Sequence, residues 1–230
     1  MPKNRRKTFK FHSETRIVEI TGRCATDLRE LAENIETAPD PAIFYHTLGS
    51  LMEQHFLTSG FRNDFAWWVS DSLNEDEVGE RLAGIDILSF TSLRDLRGEM
   101  ACVIRTHLAE NDDKPLRKAT DRERFEFCAT QSFTFPIERV ARNLEEFSNH
   151  LRRAPISSIF FHFIQSRLRL NRLENDFSYW LRDSLGMPDL AKKDKPAEPL
   201  LLHPGTAQGS NRRTHRKGTV NAWKPSTPRP

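Results

Sequence analysis

The feature that most constrains this chain is that it repeats itself. Ile43-Phe44-Tyr45-His46 returns as Ile159-Phe160-Phe161-His162, and Asn63-Asp64-Phe65-Ala66-Trp67-Trp68 returns as Asn175-Asp176-Phe177-Ser178-Tyr179-Trp180. An offset of 116 also carries Phe9-x-Phe11 onto Phe125-x-Phe127, and Leu28, Leu31 and Ile35 onto Leu144, Phe147 and Leu151. Four residues then drop out of copy two and the offset becomes 112. From Asn63 to Leu73 seven of eleven positions are identical, a run that a shared amphipathic rhythm does not produce. Self-similarity at a fixed offset marks a duplicated unit, so the fold must be built from two related halves.

Within each half the helical period dominates. Cys24, Leu28, Leu31 and Ile35 lie on one helical face, as do Val140, Leu144, Phe147 and Leu151, and Pro39 and Pro155 end this first helix. Asp40-Pro41 reads as an N-cap followed by proline in the first turn, with Ser157 or Ser158 as the cap in copy two. The second helix carries Ile43, Phe44, Thr47, Leu48, Leu51 and Met52. The third starts at Asn63 or Asp64 with an apolar stripe of Phe65, Trp68, Val69 and Leu73, repeated as Phe177, Trp180, Leu181 and Leu185. Copy one continues with a helix through Val78, Leu82 and Ile85, and another from Ser92, where Ser-x-x-Asp resembles a capping box. Only Arg16-Ile17-Val18-Glu19-Ile20 and Phe133-Thr134-Phe135 alternate in the manner of a short strand.

Charge divides the chain differently. Residues 1–13 carry +5 and residues 192–230 carry +7, so with a net charge of +3 the body between them is acidic. A nucleic-acid-binding domain shows the reverse. Arg5-Arg6-Lys7 and Arg212-Arg213-x-x-Arg216-Lys217 allow loose, salt-sensitive phosphate contacts, but a solubilising tail is the simpler reading. Cys24, Cys102 and Cys128 are scattered and odd in number, which argues against a disulfide framework or a zinc ribbon. There is no apolar stretch for a signal peptide or a membrane span, so a soluble cytoplasmic protein is expected.

The paired blocks Ile-Phe-Tyr-His and Asn-Asp-Phe-x-x-Trp, behind Ala25, Leu28, Glu30 and Leu31, resemble a bacterial and archaeal family of unknown function over about residues 9–190. The resemblance implies no established activity. It implies further helices completing the second copy, whereas here the composition changes abruptly after Leu190.

His46 and His162 are the sharpest polar signal. Each precedes an Asn-Asp pair, Asn63-Asp64 and Asn175-Asp176, that opens the next helix. An imidazole beside a carboxylate binds metal, serves as a general base, or forms a buried hydrogen-bonded pair. Two copies packed about a pseudo-twofold axis would bring His46, Asp64, His162 and Asp176 into one cluster. Against this, Asp64 and Asp176 sit where helix caps belong, and a histidine among aromatics is more often a satisfied core residue. Trp67 and Tyr179, off the apolar stripe, are candidates for stacking on a ligand, while Trp68 and Trp180 read as core. His55, His107 and His150 have no counterpart in the other copy. Nucleophile motifs and phosphate-cradling glycine loops are absent.

The reading is an all-α protein: two related three-helix repeats packed as one bundle, with two extra helices after the first repeat. It comprises a basic arm (1–8), repeat one with its extra helices (9–109), a linker (110–124), a shortened repeat two (125–191) and a disordered basic tail (192–230). The expected function is a non-catalytic binding or adaptor module. The alternatives are an enzyme of unknown reaction using the His/Asp cluster and weak nucleic-acid binding through the termini. No cofactor is expected. The expected partner is a protein or a second copy of the chain on an uncovered apolar face of repeat two, with no membrane and no nucleic acid.

Overall fold

The computed structural model describes residues 7–53 and 63–193. It is not all-α. Two strands, β1 (Phe9–Ala25) and β2 (Phe125–Ala141), each 17 residues long, pair antiparallel as a two-stranded ribbon, making the fold α+β. Alternating Phe9-x-Phe11 and Phe125-x-Phe127 supply the buried positions at the strand starts, and Thr15, Ile17, Val18 and Ile20 give the middle of β1 its β-branched character. Cys24 and Val140, read from the sequence as helical, belong to the strands. They fit a helical period by coincidence of spacing.

The ribbon obeys the repeat. Its register pairs Arg16 with Ser132, which are themselves equivalent at the offset of 116. Phe9 faces Ala141 and Ala25 faces Phe125, the same pair seen from the two ends. The irregularities between Lys10 and His12 and between Ile20 and Cys24 mirror each other across the centre. A pseudo-twofold axis therefore passes through the Arg16–Ser132 pair.

Helices follow each strand. In copy one, α1 (Leu28–Thr37) is capped by Asp27, whose carboxylate accepts from the main chain of Arg29 and Glu30. Glu30 returns a bond to the Thr26 N–H. Copy two repeats this with Asn143 before α7 (Leu144–Leu151) and Glu146 accepting from the Arg142 N–H. Next come α2 (Asp40–Phe44), a π-helical turn (Tyr45–Gly49) and α3 (Ser50–Glu53). Pro39 occupies the N-cap, so Asp40 is the first helical residue rather than the cap. Copy one then has α4 (Asp64–Asp71), α5 (Asp76–Ala83) and α6 (Leu93–Glu110), the last capped by Ser92. Copy two has α8 (Ile156–Phe160) after Pro155, a π turn (Phe161–Gln165), α9 (Ser166–Leu170), α10 (Asp176–Asp183) and α11 (Pro188–Lys193). Ser157 and Ser158 lie inside α8 and cap nothing. Because α11 begins 112 residues after α5, copy two does hold the start of the fourth helix, contrary to the sequence reading.

The strands are exchanged between the halves. One core joins Leu31, Ile35, Ile43 and Phe65 of copy one to Phe125, Phe127 and Ala129 of β2. The other joins Phe147, Phe177 and Trp180 of copy two to Phe9 and Phe11 of β1. Each half is thus completed by the strand of the other. Burying an aromatic of this size contributes about 1.5–3 kcal/mol, so neither half keeps its core without its neighbour's strand. Among the described residues no helix is long and apolar enough to cross a membrane. The expected basic tail beyond Lys193 and most of the basic arm lie outside the described residues.

Candidate functional site

His46 and His162 are each the second residue of a π turn, at equivalent places in the two copies. A π turn widens the helix by one residue and leaves main-chain carbonyls poorly matched. Side-chain hydroxyls meet some of them. Thr47 Oγ1 donates to Ile43 O at 2.6 Å and Ser50 Oγ to Thr47 O at 2.7 Å, while Ser166 Oγ donates to His162 O at 2.6 Å.

Both imidazoles are buried, with 4% and 3% of their surface exposed. His46 Nδ1 lies 2.9 Å from Asp64 Oδ2, and His162 Nδ1 lies 2.8 Å from Asp176 Oδ2. On the other side of each ring the exchanged strand arrives. The Cys128 N–H donates to His46 Nε2 at 2.9 Å, and the His12 N–H donates to His162 Nε2 at 2.8 Å. A main-chain amide can only donate, so Nε2 holds a lone pair and the single proton sits on Nδ1, facing the carboxylate. The ring is thereby neutral, its tautomer is set, and both nitrogens are engaged. The aromatic surroundings match as well: His46 lies among Phe65, Phe125 and Phe127, and His162 among Phe177, Phe9 and Phe11.

Burial pushes the His162 pKa below the usual histidine value, outweighing the opposing pull of Asp176. Burial also pushes Asp176 upward, but hydrogen bonds from His162 and Arg169 more than offset it and hold the carboxyl below its usual range. Arg169 Nη2 donates to the same Oδ2 at 2.7 Å.

The structure brings His46 to Asp64 and His162 to Asp176, each within its own copy. The four do not converge. Among the described residues the one group of three or more ligand-type side chains within 4.8 Å is Glu77, His107 and Glu110. Its two carboxylates are already bridged by Arg81, at 2.8 Å to each. Asn63 and Asn175 are the N-caps of α4 and α10, accepting from the Ala66 and Ser178 N–H, while Asn63 also donates to Leu82 O. Trp67 and Tyr179 are exposed, and Arg172 and Arg182 lie against the Tyr179 ring. Trp68 and Trp180 are core residues whose indole N–H groups donate across the exchange, to Glu123 O and Lys7 O at 2.6 Å each.

Sequence reasoning missed Arg16. Its guanidinium, at the pseudo-twofold axis, lies 5.1 Å from the Phe44 ring and 4.6 Å from the equivalent Phe160 ring, and pairs with buried Glu14. Its counterpart is Ser132, so the repeat carries no echo of it. The strand amides that close the histidines leave no sequence signature either, because any residue but proline supplies one.

The model of the Family of unknown function (DUF5752) matches residues 6–203, and the chain belongs to that family. The chain is similar in structure to OrfY from Thermoproteus tenax, with a TM-score of 0.74 and 29% sequence identity over 86% of this chain and 89% of that one. No curated protein matches it.

Proposed function

We propose that this chain is a non-catalytic binding or adaptor module in which the two His/Asp pairs are clasps between exchanged halves. The observation that carries this reading is the double engagement of each imidazole. With Nδ1–H given to a carboxylate and the Nε2 lone pair given to a strand amide, neither histidine offers a lone pair to a metal or a proton acceptor to a substrate. A general base must instead reach its substrate through hydrogen-bond distance and access, and these rings are nearly closed to solvent.

The module acts in the cytoplasm. Cys24 and Cys102 are free thiols, and Cys102 is exposed, which suits a reducing compartment. The test is metal analysis of the purified full chain beside its His46→Asn and His162→Asn variants, with unfolding followed in parallel. The clasp reading expects loss of stability and no stoichiometric metal in any of the three proteins. One equivalent of bound metal in the parent, lost from a still-folded histidine variant, would remove it.

A further inference from the structure

We propose that copy two presents a docking surface for an amphipathic helix of a partner protein, one bearing a carboxylate where α6 bears arginine. The surface comprises α7, the start of α8 and the turn from α10 into α11. This rests on the binding-module reading and names its surface and its partner.

The other half of the molecule shows what such a face holds. In copy one α6 lies on α1, α2 and α5, and buries Leu96, Met100, Ala101 and Ile104. The chain then continues over the start of α1, where the Ala119 N–H donates to Thr26 O at 2.8 Å. Four acids of copy one receive this cover. Glu36 takes a two-pronged bond from Arg105, and Asp40 takes Arg97 at 2.5 Å. Asp27 faces Lys118, and Glu75 faces His107 and Arg117.

Copy two keeps the shape and changes the charge. The equivalents of Asp27, Glu36, Asp40 and Glu75 are Asn143, Arg152, Ile156 and Met187. Three acids have become neutral and one has become a cation. Leu28 and Ile35 are fully covered in copy one, whereas their counterparts Leu144 and Leu151 are only partly buried. Ile156 is 49% exposed, and Met187 and Leu190 are 39% exposed each. A groove of about 340 Å³ lies between the start of α7 and Leu185 and Met187. Its copy-one equivalent is the place crossed by residues 117–119.

The occupant must therefore match α6 in its apolar spacing and oppose it in charge. A second copy of this chain does not qualify, because its α6 would set Arg105 against Arg152 and leave Arg97 facing Ile156 in place of an acid. A carboxylate at the Arg105 position meets Arg152, and the apolar side chains cover Leu144, Leu151, Ile156 and Leu190. This is the helix-in-groove mode of recognition.

The probe is a labelled 18-residue peptide with the sequence of α6, Leu93–Glu110, held helical by a staple on its exposed side. One form is unchanged and the other carries Arg97→Glu and Arg105→Glu. Binding to the full chain is read by anisotropy and by amide exchange. The glutamate peptide should bind about fivefold more tightly than the unchanged one, the factor that one surface charge contact supplies. The preference should reverse on Arg152→Glu, binding should be lost on Leu190→Asp, and protection should appear at residues 144–152. Failure of both peptides to bind, equal affinity for both, or protection elsewhere would overturn the proposal. So would full protection of residues 144–152 before peptide is added, since the chain would then cover its own face. Each of those outcomes leaves the metal measurement untouched, so loss of the helix partner is separable from loss of the binding-module reading.

Discussion

The exchange of strands makes a prediction with an unusual address. Replace His162 with alanine. The His12 N–H then loses its acceptor inside an aromatic core, at a cost of about 1–3 kcal/mol. Asp176 loses its neutral donor, although Arg169 still reaches it. The space left among Phe9, Phe11 and Phe177 adds a cavity term. Together these come to on the order of 3–5 kcal/mol, since contributions sharing one network do not simply add. For a body of this size that is a fall in melting temperature of about 6–20 °C. The address is read by amide exchange, in which protection drops at residues 9–13, near the other end of the sequence from the change. His46→Ala has the reverse effect, loosening residues 125–130, because Cys128 closes that ring. If His162→Ala instead deprotected residues 125–130, or left the melting temperature unmoved, the clasp argument would be refuted.

Three further outcomes follow from the same geometry. The His162 pKa is lowered in the folded state, so the unfolded chain binds that proton more readily; the stability it contributes is full above the ordinary histidine value of about 6.5 and falls as pH drops toward the folded value. Asp176, also lowered, contributes above the ordinary carboxylate value of 3.8 and is lost as pH falls through its folded value, so melting temperature should decline from pH 7 to 5 and again below 4, with His162→Gln flattening the first limb. A melting temperature that rises between pH 7 and 5 would contradict this. Phe127→Ala, at a fully buried strand position, should cost about 3–5 kcal/mol by denaturant titration and expose the core around Phe65 and Ile43 rather than that around Phe177. Arg16→Met strands the Glu14 carboxylate in the interior and should cost about 3–5 kcal/mol, while the double variant Arg16→Met with Glu14→Leu should recover most of it in a double-mutant cycle.

A helix start at Asn63 or Asp64 was readable because an N-cap acts on amides two or three residues away, but the choice between them was not: Asn63 and Asn175 are the caps, and Asp64 and Asp176, read as sitting at cap positions, are the first helical residues. His46 with Asp64 and His162 with Asp176 were readable as candidates, since in both copies the histidine is followed by the Asn-Asp pair that opens the next helix. The ribbon was not. Each strand's partner lies a hundred or more residues away, and neither a hairpin turn nor an unbroken alternation announces it. The alternation that was visible, at residues 16–20 and 133–135, covers only the middle of the ribbon. The all-α reading failed there because strand pairing is a long-range property, whereas helix periodicity is local.

By itself the sequence determined that the molecule is made twice from one pattern, and it marked each histidine and the Asn-Asp pair after it as candidate residues. All of these depend on neighbours a few residues apart or on comparison of the chain with itself. Tertiary structure alone decided that each half borrows the other's strand, that both nitrogens of each imidazole are therefore occupied, and that an arginine without a repeat partner sits on the axis between two equivalent phenylalanines. Two identical halves are equally consistent with a strand folding onto its own helices or onto its neighbour's. Apolar patterning says that Phe9 and Phe127 must be buried; it does not say in which of two nearly identical cores.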